Sequence, residues 1–434
     1  MKRWLFIVLS IFMLSGCLQR TELNKLGIVS GIGIDKNENG YMVTAQILNP
    51  ASIAGKNANA LPVYTLTADG KTIYDAYQQL DNVTTQALFL SHLSTIVISE
   101  EIAKEGINLI LDFAMRHTEI RPDVSVVIAK SEKATDVLNV LTAIDTIPAS
   151  QLDVYTNMAP PHTGRLTNYN LYDVVGLVNS PGVNVVLNAV TIYHTKEHLK
   201  HTEAPPAHHE EESSNKESKK ADNAGEEDKR EENTKKKGAK EGVGDEGETI
   251  DNVLEIEAPA QLRIKELAVF NQDKLVGYFK SEEAQLYNIL TGKSKQYVIK
   301  TTVDQEYLIS FETGKVKTKI KPNLDEKTVK VECKVHGKLT ESGYPIDLTN
   351  DKNVKLLENY FKSQLEKDFK AFVRKTQTEF KSDILGVGGK AYHQDHKKWA
   401  TVKGYWDDLY PELKFSFQVE VELESTGEIM NMTR

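Results

Sequence analysis

One group of residues in this chain has the types and order of a known reaction: Leu14-Ser15-Gly16-Cys17. The cysteine supplies a sulfur nucleophile, and the small residues before it leave room for a peptidase. Upstream, Lys2 and Arg3 form a positive head, and Trp4 to Leu14 is almost wholly apolar. This is the layout of a secretory signal with its cleavage point at the small residues. With Cys directly after them, it is the layout of a bacterial lipoprotein signal. Cleavage then falls before Cys17, and a diacylglycerol is carried on its sulfur. The apolar run is roughly half of what a bilayer-spanning helix requires, so it does not remain as a span. Each buried methylene adds about 0.8 kcal/mol, and two or more acyl chains hold a protein firmly where one does not. The expectation is a cleaved signal over 1–16 and a lipidation site at Cys17.

The other candidates for chemistry dissolve on inspection. His393-Gln394-Asp395-His396 has metal-ligand residue types but is short and has no matching partner elsewhere, so it reads as a surface cluster. Ser91-His92 pairs a nucleophile type with a base type. Adjacent side chains rarely face each other, no orienting acid is evident, and His92 reads as a structural polar residue at the start of a strand. Gly31-Ile32-Gly33 lacks the third glycine of a dinucleotide loop and lies inside a strand pattern, where glycine admits a close neighbour. His194, His198, His201, His208 and His209 are scattered through a charged stretch without a cysteine or a rigid helix to space them. No Walker loop, HExxH helix or G-x-S-x-G elbow occurs. No catalytic, cofactor-binding or metal residue is therefore expected, and the chain reads as a non-enzyme. Asp112 and Arg116 stand at i and i+4, which fits a helical ion pair or an outward-facing interface element. Trp399, Trp406 and Tyr410 fit a core cluster first and an interface second.

The elements that must carry these residues are mixed. The chain has 434 residues and a net charge of −9, enough for two or three domains. The acidic balance argues against a nucleic-acid partner. With Cys17 lipidated, Cys333 is left alone and no disulfide framework exists. Ile28 to Asp35 and Tyr41 to Leu48 form a hairpin about an Asn-Gly turn, and Val63 to Thr67 adds a strand. A helix spans about Thr72 to Val83. Ser94 to Ser99 is a strand whose last residue caps one long helix with Ile102, Ile107, Ile110, Leu111 and Ala114 as its stripe. Val124 to Ala129 and Val183 to Tyr193 are strands, with a short helix over Glu132 to Thr142 and an irregular stretch from Pro148 to Pro181.

Apolar residues nearly vanish between Thr195 and Thr249, so a solvated, disordered spacer is expected there. A second hairpin, Arg263 to Phe270 and Leu275 to Phe279, precedes a short helix. Strand-like runs follow at Tyr297 to Val303, Tyr307 to Thr313, Lys315 to Lys321 and Thr328 to Leu339. The period then switches at a long amphipathic helix, Val354 to Lys381, and a last strand spans Lys414 to Leu423. The boundaries expected are 1–16 signal, 17–25 tether, 26–194 mixed α/β domain, 195–253 charged linker, 254–345 strand-rich domain, and 346–434 domain with the long helix and final strand.

This ordered set resembles the Ger(x)C family, the C subunits of bacterial spore germinant receptors. In the first half the resemblance lies in Leu26-Gly27-Ile28-Val29-Ser30-Gly31-Ile32-Gly33-Ile34-Asp35, Leu88-Phe89-Leu90-Ser91-His92-Leu93 and Asp112-Phe113-Ala114-Met115-Arg116. In the second it lies in Ala268-Val269-Phe270, Asp273-Lys274-Leu275-Val276-Gly277, Asp383-Ile384-Leu385-Gly386, Trp399 and Trp406. The long charged insert departs from the short linker of the family. The resemblance implies an α+β, mixed α/β fold of three domains, each a β-sheet flanked by helices. It implies a lipoprotein on the outer face of the spore inner membrane, working with integral membrane A and B subunits in nutrient-triggered spore germination. The rival expectation is a solute-binding lipoprotein of a transport system. That would need two similar lobes about a hinge, and the two halves here differ in element order.

Overall fold

The computed structural model describes residues 25–53, 61–141, 145–157, 164–193, 260–293, 297–303 and 306–425. Cys17, the whole signal and tether up to residue 24, and the linker expected over 195–253 lie outside the described residues. Alternating runs open the fold as β1 (Leu26–Asn37), β2 (Gly40–Leu48) and β3 (Val63–Gly70), an antiparallel meander. β4 (Ala87–Phe89), β5 (Thr95–Ser99), β6 (Ser125–Ala129) and β7 (Val186–Tyr193) complete the first half. β8 (Gln261–Asn271) and β9 (Lys274–Phe279) follow the linker region. These nine strands make one sheet, in the order β3-β2-β1-β5-β6-β7-β8-β9 with β4 beside β1. β1, β5, β6 and β7 are parallel. β5 and β6 are buried at every residue, as parallel strands covered on both faces must be.

Besides a single turn at Pro50–Ile53, the α-helices described in this half are α1 (Ile73–Gln79), α2 (Glu100–Glu105), α3 (Asn108–Arg116), α4 (Ala134–Asn139), α5 (Pro148–Asn157) and α6 (Leu171–Val178). Four of these, α2, α3, α5 and α6, depart from expectation. The single long helix after Ser99 is two helices broken at Gly106, whose φ is +137°. The turn between β8 and β9 plugs the break. The Asp273 carbonyl accepts from Ile107 N at 2.9 Å, and a Cβ on Gly106 would stand 2.6 Å from the Asp273 carboxylate. Ser99 does not cap, and its buried hydroxyl has no partner. The stretch from Pro148 to Pro181 is not irregular throughout. It contains α5 and α6, and Asn170 and Asp173 form a reciprocal capping box at the start of α6.

The second half adds α7 (Ser281–Thr291) and a four-stranded sheet of β10 (Val298–Val303), β11 (Tyr307–Asn323), β12 (Thr328–Ser342) and β13 (Lys414–Ser425). The two runs expected on either side of Gly314 are one strand, β11, with a register shift between Thr313 and Lys315. α8 (Asp351–Thr378) crosses over between β12 and β13, which pair in parallel. α9 (Val387–Gln394), α10 (His396–Val402) and α11 (Trp406–Leu409) precede β13. α8 buries Leu357, Phe361, Leu365, Phe369, Phe372 and Val373 along one face, while Leu356 is exposed. Phe361 meets Phe311 of β11 at 5.0 Å between ring centroids.

The chain is mixed α+β, as expected. Its strands form two sheets among the described residues, rather than one sheet for each of three domains. The reason is the β8–β9 hairpin. Val186 of β7 pairs with Val269 of β8, so the hairpin extends the first sheet across the linker. One hydrophobic core accordingly runs from Val186, Leu267 and Phe279 through α7 and α8 to β11, β12 and β13.

Candidate functional site

The residues that tie the two sheets together gather around Asp383. α8 ends five residues before a buried carboxylate that its own neighbours surround. Oδ1 accepts from Val387 N at 2.9 Å, and Oδ2 accepts from Gly388 N at 2.7 Å and from Trp406 Nε1 at 3.2 Å. Val387 and Gly388 are the first residues of α9, so the carboxylate satisfies amides that the helix leaves open and meets the positive end of its dipole. The Asp383 carbonyl accepts from Asn184 N at 2.9 Å, and Asn184 Oδ1 accepts from Gln272 N at 2.8 Å. The C-terminal helices thus meet on the Asp383 carboxylate, while the loop before β7 reaches its backbone carbonyl and carries the β8–β9 turn through Asn184. Gly182 and Gly388 pass so closely that a Cβ on Gly388 would lie 2.7 Å from Gly182 Cα. Trp399 and Trp406 pack at 5.0 Å, Trp406 and Tyr410 at 6.4 Å, and Tyr410 Oη lies 2.8 Å from Thr376 Oγ1. All three aromatic residues are buried, so the cluster is core.

Burial pushes the Asp383 carboxyl up to about 6, against the opposing pull of the Gly388 and Val387 amides, the nearby Lys390 ammonium and Trp406. Burial lowers Lys390, whose Nζ donates to the Leu385 carbonyl at 3.0 Å. Three N–H groups from α9 and α11 meet on the carboxylate, an arrangement that holds helices together. Above it lies a cleft of about 590 Å³ lined by Asn184, Gln272, Lys403, Tyr405 and Asp407.

A second surface feature lies between α1 and α3. Its groove encloses about 450 Å³ and is lined by Tyr41, Ile73, Tyr74, Leu109 and Phe113, with Lys71, Asp112, Arg116 and His117 on its rim. α3 turns Ile110, Leu111 and Ala114 into the core and leaves Leu109 63 % exposed, facing Tyr74 of α1 at 54 %. Asp112 and Arg116 form the expected pair at 2.8 Å, and both side chains are exposed. Exposed apolar side chains ringed by charge are the usual build of a protein contact face.

The remaining sequence candidates fall apart in space. Cys17 lies outside the described residues, as do His194, His198, His201, His208 and His209. Asp395 accepts from Lys397 N and Lys398 N at 3.0 Å as the cap of α10, and His396 stacks on Tyr392 at 4.1 Å. Among the described residues no group of three His, Cys, Asp or Glu side chains could hold a metal. His92 sits in the single turn Leu90–His92 between β4 and β5, not at a strand start, because the Leu93 amide closes that turn on the Leu90 carbonyl. Gly31 admits a neighbour as expected: a Cβ there would stand 2.7 Å from Ala149 Cβ. Two structural carboxylates escaped the sequence reading. In the sequence Asp383 stands out only as the first residue of the Asp383-Ile384-Leu385-Gly386 stretch. Asp35, buried in β1, accepts from Ala134 N at 2.7 Å and Thr135 N at 2.9 Å and so caps α4. An aspartate inside an apolar strand pattern was the available signal for the latter.

A family model described as the spore germination protein N-terminal domain matches residues 19–192, and one described as spore germination B3/GerAC-like, C-terminal, matches residues 265–427. The chain belongs to the Ger(x)C family of spore germination proteins. Spore germination protein KC of Bacillus subtilis is 24 % identical, over 97 % of this chain and 94 % of its own. Spore germination protein B3 of the same organism is 23 % identical, over 96 % of this chain and 95 % of its own. The crystal structure of the GerBC protein aligns with 19 % identity and a TM-score of 0.49, covering 91 % of this chain and 97 % of that one. Within this Ger(x)C protein, Asp383 and the helices that meet on it lie inside the C-terminal match, and Asn184 and the α1–α3 groove inside the N-terminal one. No helix among the described residues is long and apolar enough to cross a membrane.

Proposed function

We propose that this chain is the non-catalytic lipoprotein subunit of a nutrient germinant receptor, tethered through Cys17 to the outer face of the spore inner membrane. The observation that carries the reading is the pair of family matches, which together take in most of the chain on both sides of the linker region. The signal-like order ending in Cys17 supports the tether. The buried hub supports a scaffold role, since its polar groups are spent on holding elements together. Integral membrane A and B subunits are the partners in this reading. The groove between α1 and α3 is the contact face offered to them, because its apolar residues lie open on a surface that is otherwise charged.

The decisive experiment is purification of the tagged chain from spore membranes. Co-purification of two integral membrane proteins, with loss of response to one nutrient class in a strain lacking the chain, is expected. Recovery of the chain alone together with an unchanged response to every nutrient would overturn the receptor reading.

A further inference from the structure

The outer face of the second sheet carries a ladder of four lysines, three of which make no ion pair among the described residues. Beyond the register shift at Gly314, β11 reads Lys315-Val-Lys317-Thr-Lys319-Ile-Lys321. Val316, Thr318 and Ile320 turn inward, and the four lysines are exposed on the other side. Alternate residues on one strand face are about 7 Å apart, so the ladder is roughly 20 Å long. Lys321 shares Glu332 with Lys330, at 2.7 and 3.0 Å. Lys315, Lys317 and Lys319 make no ion pair among the described residues, although Lys319 lies beside Glu332 in register.

The acids on this face are otherwise engaged. Glu312 holds Lys338 at 3.0 Å, Glu420 holds Lys334, and Glu422 and Glu424 reach His336 at 2.9 and 3.3 Å. The positive column on β11 is therefore left uncompensated at one side of the sheet. None of the clefts described above opens among these lysines, and no exposed aromatic anchor stands between them. A flat row of point charges without a pocket suits a surface of spread negative charge better than a shaped partner, whose binding concentrates in packed anchors.

We infer that this lysine face rests on an anionic lipid surface. Juxtamembrane lysines draw a protein toward acidic headgroups, and the attraction fades within a Debye length. The ladder would orient the tethered body as well as hold it. The inference rests on the tethered reading only for bringing a membrane near, and the two can fail separately. Mass spectrometry of the mature N-terminus tests the acyl group, and vesicle binding without an acyl group tests the ladder.

The test uses the polypeptide from Leu18 to Arg434, which contains every described residue. Its co-sedimentation is measured with phosphatidylcholine vesicles and with vesicles that also contain phosphatidylglycerol. Binding only to the acidic vesicles, falling as salt rises, is expected. The triple variant Lys315→Gln/Lys317→Gln/Lys319→Gln should melt like the parent and bind the acidic vesicles about a hundredfold more weakly. Equal binding of parent and triple variant overturns the inference, as does equal binding to both vesicle types. Capture of a polyglutamate peptide by the parent and not by the variant, with no vesicle binding, would assign the ladder to an acidic polypeptide instead.

Discussion

Replacing Asp383 with asparagine tests whether burial or hydrogen bonding governs the carboxyl at the centre of the fold. Its pKa stands at about 6 in the folded chain, against roughly 3.9 for an unfolded aspartate. A folded value above the unfolded one means that the folded state binds the proton more tightly. The contribution of this group to stability is then fully present at low pH and is lost as pH rises through about 6. Between pH 7 and pH 4 the parent should gain about 2 to 3 kcal/mol from this one group, a gain that the uncharged asparagine cannot have. Asparagine also turns an NH₂ toward either Val387 N or the pair Gly388 N and Trp406 Nε1, leaving a buried donor unpaired at a cost of about 1–3 kcal/mol at every pH. Denaturant unfolding of parent and Asp383→Asn at both pH values separates the two effects. The stability gap between them should widen by about 2 kcal/mol as pH falls from 7 to 4, while titrations elsewhere cancel. A gap that narrows on acidification would refute the reasoning. That is the behaviour of a carboxylate kept ionised by its three N–H donors, with desolvation the lesser force.

Further outcomes follow from the packing. Phe361→Ala empties a fully buried site against Phe311 and should cost about 3–5 kcal/mol in denaturant unfolding; a cost below 1 kcal/mol would contradict the packing. Gly31→Ala drives a methyl toward Ala149 and Leu138 and should destabilise by about 1–3 kcal/mol, read in the same assay. The Cys333 thiol is buried in β12 and pushed up to about 11, so in the Leu18–Arg434 polypeptide it should resist a thiol reagent at neutral pH until denaturant is added. Cys17→Ala should release the chain from the membrane fraction, and equal retention of that variant would remove the tether from the picture.

Much of this fold was legible because its signals are local. The apolar spacing from Leu357 to Val373 is a property of one helix, and it survives unchanged in α8. The alternation of β11 and β12 names an inner and an outer face without reference to any other strand. What alternation does not name is the neighbour. The hairpin of β8 and β9 was visible, but its place beside β7 depends on pairing across the linker region. The break at Gly106 was hidden for the same reason, since the group that fills it is Asp273, remote in sequence. At the Asp383 hub, the pieces Asp383 to Gly386, Trp399 and Trp406 were each noticed. That one carboxylate joins them needed Trp406 Nε1 in position, which no spacing rule supplies. The capping box of Asn170 and Asp173 was written in the sequence and passed over because the surrounding stretch lacks a clear apolar period.

Tyr193 and Gln261 are cross-strand neighbours at the ends of β7 and β8. Any chain that joins them has its two attachment points side by side on adjacent strands. Closing a loop there grows costlier only with the logarithm of its length, by about 0.6 kcal/mol for each doubling for a flexible connection. Evolution can therefore graft or trim dozens of residues at this position almost silently, which makes it the natural port for a fluorescent or affinity tag.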